Sequence, residues 1–307
     1  MWVVCGEALM DVFATGSTAA GLALDARVGG SPFNVATGLA RLAQPVSYFG
    51  GLSSDFVGER LLQALRDEGV DTRAVVRQAA RSTLSLVGLD AQGVPSYSFY
   101  GEGGADRRLE PSALAQAPRA AGYHFGSFAM VVEPVASTLR ALVERERSRS
   151  LIAYDPNLRL NVEPALDRWR EVVAWMAARA HLVKISEEDL SLLRPGASAE
   201  SVAAQWLADG VALVVVTRGG EGASAWTSRQ HVAVPAVDTD LVDTVGAGDS
   251  FQAALLTWLA EHDRATPAAL RALDATQIEA ALRFATQAAA ITCSRRGADL
   301  PRRAELD

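Results

Sequence analysis

Cysteine, lysine and long apolar runs are all scarce in this chain, and each scarcity excludes a class of protein. There are two cysteines in 307 residues, Cys5 and Cys293, far apart in sequence. A disulfide-stapled secreted scaffold uses more, in paired spacings, so both read as reduced thiols. Cys5, in the run Trp2-Val3-Val4-Cys5, reads as a small core residue. No apolar run approaches the length that spans a bilayer. Glu7 and Asp11 interrupt the N-terminal apolar stretch and no basic start precedes it, so a signal peptide is not expected. The expectation is a soluble, cytoplasmic protein with no membrane partner. Positive charge is also short: 29 Lys and Arg face 36 Asp and Glu, a net charge of −7. Such a chain repels phosphate backbones, which excludes nucleic acid as a partner but leaves room for a local basic pocket. Lys184 is the one lysine among these basic residues, a scarcity that compositional bias toward arginine explains. The four histidines, His124, His181, His231 and His262, lack metal-ligand spacing.

What is present is a full-sized core, with 49% apolar residues. Trp2 to Cys5 reads as a strand. Pro32 to Ala43 reads as a helix capped by Ser31, with Val35, Leu39 and Leu42 on one stripe. Val46 to Phe49 is again β-like. Phe56 to Glu68 is helical, capped by Asp55 and stopped at Gly69. Leu151–Tyr154, His181–Ile185 and Ala212–Thr217 are later strands. The last two are near-continuous apolar runs, as in a parallel sheet covered on both faces. The alternation predicts an α/β fold: a doubly wound, mainly parallel sheet flanked by helices. No repeat or linker divides it, so residues 1–307 are expected to form one domain. Two stretches break the pattern. Residues 12–28 lack helical signals, and Thr83 to Tyr100 alternates as antiparallel strands with one wet face. Together, over approximately 12–28 and 83–105, they would form a small β-sheet, either a lid over a site or a plain edge hairpin. The polar tail after Gly297 is expected to be frayed or surface-packed.

The sharpest chemical signal is Asp243-Thr244-Val245-Gly246-Ala247-Gly248-Asp249-Ser250-Phe251, a glycine turn entering a helix. First-turn N–H groups have no partner within the helix, and with the macrodipole they make an anion site. A carboxylate there suits phosphoryl transfer, where Asp249 takes a proton from a nucleophile while the N–H groups hold charge on the transferred group. On its own the segment also allows Asp249 to be a helix cap. A P-loop is excluded, because Val183 rather than glycine precedes the one lysine. A dinucleotide fingerprint is excluded too, because the third glycine is missing. Gly29-Gly30-Ser31-Pro32-Phe33-Asn34 ends a loop and opens a helix, where an amide can reach sugar hydroxyls or the helix start can simply be capped.

In combination these segments resemble the ribokinase-like (PfkB) carbohydrate kinases. Asp243–Phe251 is similar to the family's C-terminal signature and Gly50–Gly58 to its N-terminal one, in the family's order. Gly6-Glu7-Ala8-Leu9-Met10-Asp11 and the Gly-Gly-x-x-x-Asn run also match. The resemblance extends from Val4 to about Pro301 and is strongest to bacterial fructokinases, through Phe99-Tyr100, Ala105-Asp106, Gly126-Ser127, Asp155-Pro156-Asn157-Leu158-Arg159 and Ser294–Ala298. It implies an ATP- and Mg2+-dependent kinase, with fructose as acceptor, and the alternating stretches as the family's lid. Asp249 would be the base, and Gly246, Ala247 and Gly248 would form the anion hole with it. Asp11, Gly29, Gly30, Asn34 and Arg159 would face the sugar. Lys184, Ser186, Thr217, Gly219 and Gly222 would line the nucleotide site. Asp189 would serve the metal, through water, in place of the family's glutamate. Asp243 would belong to a K+ site, and two chains would pair through the lid. Arg218 departs from the family's apolar residue and is expected to be solvated. Two other readings stay open: a kinase of 2-keto-3-deoxygluconate, ribose, a nucleoside or a sugar phosphate, with Arg107, Arg108 and Arg159 recognising an acidic acceptor, and a sugar-binding regulator without turnover.

Overall fold

The computed structural model describes residues 1–89 and 95–306. The chain runs through β1 (Trp2–Cys5), β2 (Leu9–Thr18), β3 (Gly21–Gly29), α1 (Ser31–Arg41), β4 (Val46–Phe49), β5 (Gly51–Ser53) and α2 (Phe56–Asp67). There follow β6 (Val76–Gln78), β7 (Leu84–Leu89), β8 (Pro95–Tyr100), β9 (Gly122–Gly126), α3 (Val135–Glu146), β10 (Leu151–Asp155) and α4 (Leu166–Ala177). The rest comprises β11 (Leu182–Ser186), α5 (Glu187–Leu193), α6 (Ala199–Asp209), β12 (Leu213–Thr217), β13 (Ala223–Trp226), β14 (His231–Val234), α7 (Ala247–Glu261), α8 (Pro267–Arg271) and α9 (Ala275–Cys293).

Eight strands form the main sheet, in the order β14-β13-β12-β11-β10-β9-β1-β4. Pairing is parallel from β12 to β4 and antiparallel at the β12–β13 and β13–β14 edge. The apolar runs of the central strands are buried on both faces. In β10, Ile152 and Tyr154 enter the core beneath α3–α6, while Leu151 and Ala153 enter the core shared with α1, α2, α7 and α9. In β11, Val183 and Ile185 take the first of these faces, so Lys184 is turned to the α7 side. Cys5 is buried within β1, and both cysteines are free thiols. Among the described residues no helix is long and apolar enough to cross a membrane.

The second sheet has the order β3-β2-β7-β8. The antiparallel pairing expected from the alternation of residues 83–100 holds for β7–β8; β2–β3 is antiparallel as well, but β2 and β7 run parallel. The reason is connectivity: the chain returns through β4, β5 and β6 to the same end of the main sheet before it leaves again as β7. Thr83, Ser85 and Val87 are buried on one face. The expected lid segment 83–105 also covers residues 90–94, which lie outside the described residues. Two caps differ in outcome. Asp55 caps α2 as expected, accepting from the Gly58 N–H at 2.7 Å, and also takes the Ser82 N–H at 2.8 Å. Ser31 does not cap α1; Gly30 is the N-cap residue, and the hydroxyl is used elsewhere. Of the two expectations for the C-terminal tail, packing is what is seen: Arg41 donates to Asp299 and to the Leu300 carbonyl, each at 2.7 Å, and Leu300 is buried over Gly38.

The second sheet is rooted in buried acid. Thr83 Oγ1 donates to Asp106 Oδ1, and Glu7 lies buried in the β1–β2 turn. Burial pushes the Glu7 carboxyl up to about 7, with Asp106 adding to the rise. Burial also pushes Asp106 up to about 6, against Thr83 and Arg107. A carboxyl raised on folding stabilises fully below its unfolded value, and that contribution is lost as pH rises through the folded value. Glu7→Gln removes this loss. Chemical denaturation from about pH 5 to about pH 8.5 should show the variant gaining on the wild type by on the order of 2 kcal/mol at the alkaline end. A pH-independent difference would show that Glu7 keeps an ordinary pKa.

Candidate active site

The parallel strands end along one edge of the sheet, and the polar residues gather there, as in open α/β sheets that bind ligands at the carboxyl ends of their strands. The turn after β1 carries Glu7, while Asp155 ends β10, Ser186 ends β11 and Thr217 ends β12. Over this edge lies the N-terminus of α7. Gly246 caps it in the left-handed region at φ 81, and a Cβ there would sit 2.6 Å from the Ala298 Cβ. The Ala247 N–H closes a turn onto the Thr244 carbonyl at 3.2 Å, and the Ser250 N–H bonds the Gly246 carbonyl at 2.8 Å. The N–H groups of Gly248 and Asp249 remain in the first turn, where the helix supplies no acceptor.

Asp249 is therefore the third residue of α7 and not its cap. Its carboxylate is buried and bonded across the helix interface: Ser31 Oγ donates to Oδ1 at 2.6 Å and Asn34 Nδ2 donates to Oδ2 at 2.8 Å. Ser31 and Asn34 are three apart and share a face of α1. Burial raises the Asp249 carboxyl above the usual range, while Ser31, Asn34, Lys184 and Arg159 pull it back. Burial and its polar neighbours thus pull the Asp249 pKa in opposite directions.

Asp11, on β2, stands beside it. Its carboxyl is raised by burial and by Asp249, and lowered by a Ser85 hydrogen bond and by Arg159. The glycines explain how this approach is possible. A Cβ on Gly29 would lie 2.2 Å from Asp11 Oδ2, and one on Gly30 would lie 2.9 Å from the Glu7 carbonyl. Arg159 is oriented by Asn157 Oδ1 at 2.7 Å and by the Leu158 carbonyl at 2.9 Å. Asp11, Gly29, Gly30, Asn34, Asp249 and Arg159 thus come to one place, although 238 residues separate the first from Asp249. Arg107 and Arg108 are committed elsewhere: Arg107 lies over the Phe128 ring at 5.3 Å, and Arg108 donates to the Gly103 carbonyl at 2.9 Å.

Beyond Asp249 the edge continues over β11 and β12. Lys184 Nζ donates to Asp155 Oδ2 at 2.8 Å, both side chains being buried. Ser186 caps α5, accepting from the Asp189 N–H at 3.1 Å. Burial and the neighbouring Asp155 raise the Asp189 carboxyl, while Arg159, the Leu158 N–H and Lys184 lower it. Thr217 ends β12, and Gly219 and Gly222 give the following turn its positive φ values of 49 and 96. Arg218 is not solvated as expected; it is held by Glu187 at 3.0 Å and by Ser224 at 2.7 Å. Asp243 straps two loops together, accepting from the Val245 N–H at 3.1 Å and the Gly297 N–H at 2.8 Å. Two side chains that the sequence did not assign to this site emerge here, Ser31 and Asp155. The signals that could have found them are the i, i+3 spacing of Ser31 to Asn34 and the place of Asp155 at the end of a parallel strand.

A helix N-terminus with a buried carboxylate in its first turn and a cationic side chain nearby has the chemistry that phosphoryl transfer uses. A profile of the pfkB family carbohydrate kinases matches residues 1–304. The fructokinase of Rhizobium leguminosarum bv. trifolii is 35% identical over 275 residues, 89% of this chain and 84% of that protein. Among solved structures, a fructokinase from Xylella fastidiosa with bound ATP superposes with a TM-score of 0.89 at 28% identity, covering 99% of this chain and 96% of that one. The fructokinase of Vibrio cholerae O395, solved with fructose, ADP and calcium, gives 0.83 at 28% identity, covering 99% and 97%. The chain belongs to the pfkB family of carbohydrate kinases. It is a phosphotransferase acting on a sugar, with the family's mainly parallel α/β fold and small second sheet.

The two donors to Asp249 favour its charged form, so removing one should raise its pKa further. In Ser31→Ala, the acid limb of the pH profile of kcat/KM for sugar-dependent ADP release should move to higher pH, with little change in the alkaline limb. An unmoved acid limb would mean that Asp249 is not the group titrating there.

Proposed function

We propose that the protein is an ATP-dependent fructokinase that converts fructose to fructose 6-phosphate, with Asp249 as general base. The observation that carries this reading is the Asp249 carboxylate, buried in the first turn of α7 and aimed between Ser31 and Asn34 of α1. In the proposed reaction a sugar hydroxyl gives its proton to Asp249. The hydroxyl oxygen forms a bond to the γ-phosphorus, the bond from that phosphorus to the β–γ bridging oxygen breaks, and ADP leaves. The Gly248 and Asp249 N–H groups face the charge that builds on the phosphoryl oxygens. Asp11, the Gly29–Gly30 backbone, Asn34 and Arg159 hold and orient the sugar. Ser186, Thr217, Gly219 and Gly222 border the nucleotide. The β2–β3 and β7–β8 strands act as the lid of a single 307-residue domain and exclude water from the closed site.

The donor set fits Mg2+ bound largely through substrate. Asp189 is raised by burial and by Asp155, and Asp155 Oδ1 is buried without a partner among the described residues. A cation beside them relieves that charge. No cluster of three or more His, Cys, Asp or Glu that could hold a metal occurs among the described residues, as suits an ion that keeps waters and phosphate oxygens as ligands. When bound, Mg2+ would neutralise charge on the β- and γ-phosphates. A K+ ion beside the loops strapped by Asp243 belongs to the same proposal. So does a homodimer through the lid, whose Leu22 and Leu24 are 63% and 53% exposed. Two free thiols accord with a reducing cytoplasm.

An ADP-release assay with Mg2+ and ATP, run over fructose, ribose, 2-keto-3-deoxygluconate, adenosine and fructose phosphates, tests the reading. Turnover is expected on fructose, and Asp249→Asn should lower kcat by about 10²–10⁴-fold while sugar still binds. Turnover on an acidic acceptor, lost in Arg159→Ala, would instead assign a different sugar. Sugar binding without ADP release would identify a regulator rather than an enzyme.

A further inference from the structure

Helix α7 is buried from Asp249 to Leu259. Apolar contacts around such a helix have no preferred direction, whereas a hydrogen bond fixes both a distance and an angle. In the first two turns of α7 three polar side chains each reach a different element. Asp249 accepts from Ser31 and Asn34 of α1. Ser250 Oγ donates to the Ala288 carbonyl of α9 at 3.0 Å. Gln252 Nε2 lies 3.3 Å from His124 Nδ1 on β9. Directional contacts on three sides together oppose rotation and sliding of the helix end.

The third contact is the one that packing explains least. His124 and Gln252 are both fully buried. His124 stands in register with Val4 of β1 and Ala153 of β10, whose side chains enter the apolar core shared with α7. An amide nitrogen only donates, so Nδ1 accepts and the ring proton sits on Nε2. His124 Nε2 and Gln252 Oε1 then have no partner among the described residues. Replacing both members of such a pair by apolar groups of like shape is neutral or stabilising for a fold, so stability does not account for it. Its place does: Gln252 follows Asp249 by three residues, on the same side of α7.

We propose that Gln252 and His124 are positioning residues for phosphoryl transfer, their contact tying the start of α7 to β9 and so holding the Asp249 carboxylate and the first-turn N–H groups in place over the strand ends. Ser31 and Asn34 aim the carboxylate, and Gln252 aims the helix that carries it. Burial, with Lys184 adding to the effect, holds the His124 ring at about 3, so Nδ1 remains an acceptor at working pH. No bond to either residue forms or breaks in the reaction. The inference rests on Asp249 as the base. Normal turnover in Asp249→Asn would remove that premise, whereas the outcomes below bear on the contact alone.

Removing the whole contact separates a positioning role from a structural one. The double variant His124→Leu/Gln252→Met should unfold in denaturant at the wild-type midpoint or above it, yet show kcat lowered by about 10- to 100-fold with the sugar and nucleotide Kd unchanged. Each single variant should lose as much kcat as the double, the non-additivity of two groups that share one contact. A double variant with kcat within about threefold of wild type would overturn the proposal. So would a loss of kcat accompanied by a lowered midpoint or an equal loss of both affinities, which is what a purely structural layer gives. Should the variants fail to fold, the wild-type protein decides. With four histidines in the chain, the 15N-labelled imidazoles can be assigned. His124 should show the neutral Nε2–H tautomer and keep its Nδ1 hydrogen bond when sugar, Mg2+ and a non-hydrolysable ATP analogue are bound. A ring that protonates above about pH 5, or that loses this bond in the complex, would sink the proposal.

Discussion

Everything at the catalytic edge depends on one crossing, that of α1 over α7. The hydrogen bonds from Ser31 and Asn34 to Asp249 join residues 218 and 215 positions apart. They form only if two helices approach closely enough for short polar side chains to span the gap. Gly38 makes this possible. One turn beyond Asn34, a Cβ at this position would meet the Ala253 Cβ at 2.7 Å and Leu300 Cδ2 at 2.6 Å. The small pair Gly38 and Ala253 sets the helix separation, and Leu300 from the C-terminal tail closes over it. Packing a helical turn away thus fixes the geometry of the Asp249 carboxylate.

The same interface carries a polar layer in the middle of an apolar core. His124 on β9 faces Gln252 on α7 at 3.3 Å, three residues beyond Asp249. Burial holds His124 down at about 3, with Lys184 adding to the effect, so the imidazole is neutral at physiological pH. Asp155, Lys184 and Asp249 lie in the same region, Lys184 donating to Asp155 at 2.8 Å. Lys184 and Arg159, with the hydrogen bonds from Ser31 and Asn34, oppose protonation of Asp249, while burial favours it. A base needs this balance, since a carboxylate fully stabilised by its surroundings would be too weak to take a proton.

The parts of this arrangement that the sequence revealed are those that local rules govern. Gly246-Ala247-Gly248-Asp249 can be read as a helix N-terminus because glycine conformation and first-turn geometry are local properties. The apolar runs around Val183 and Val215 can be read as parallel strands because burial on both faces leaves a mark on composition. Asp55 could be assigned as a cap from its spacing alone. What stayed hidden depends on pairing across the chain. Nothing near Ser31 announces that its hydroxyl serves Asp249 rather than its own helix, and nothing near Arg218 announces Glu187 and Ser224. The parallel β2–β7 pairing is likewise invisible to alternation, because a strand's periodicity records which face is buried and not the direction of its neighbour. Asp155 belongs to a segment that carries the family resemblance, but its pairing with Lys184 shows only in the structure.

The second sheet is coupled to this edge by more than proximity. Arg27, on β3, is paired with Asp25 at 2.6 Å, lies over the Phe13 ring at 5.7 Å, and donates to the Arg296 carbonyl at 3.3 Å. The next residue, Gly297, gives its N–H to Asp243, which also holds the Val245 N–H at the entrance to α7. A Cβ on Gly297 would lie 2.7 Å from the guanidinium. A displacement of β3 is therefore felt at the 294–297 loop and, through a single carboxylate, at the turn that presents the first N–H groups of α7. The acids at the other root, Glu7 and Asp106, are buried where β2 and β8 meet the main sheet, so the sheet is fixed at its base and tied near Arg27.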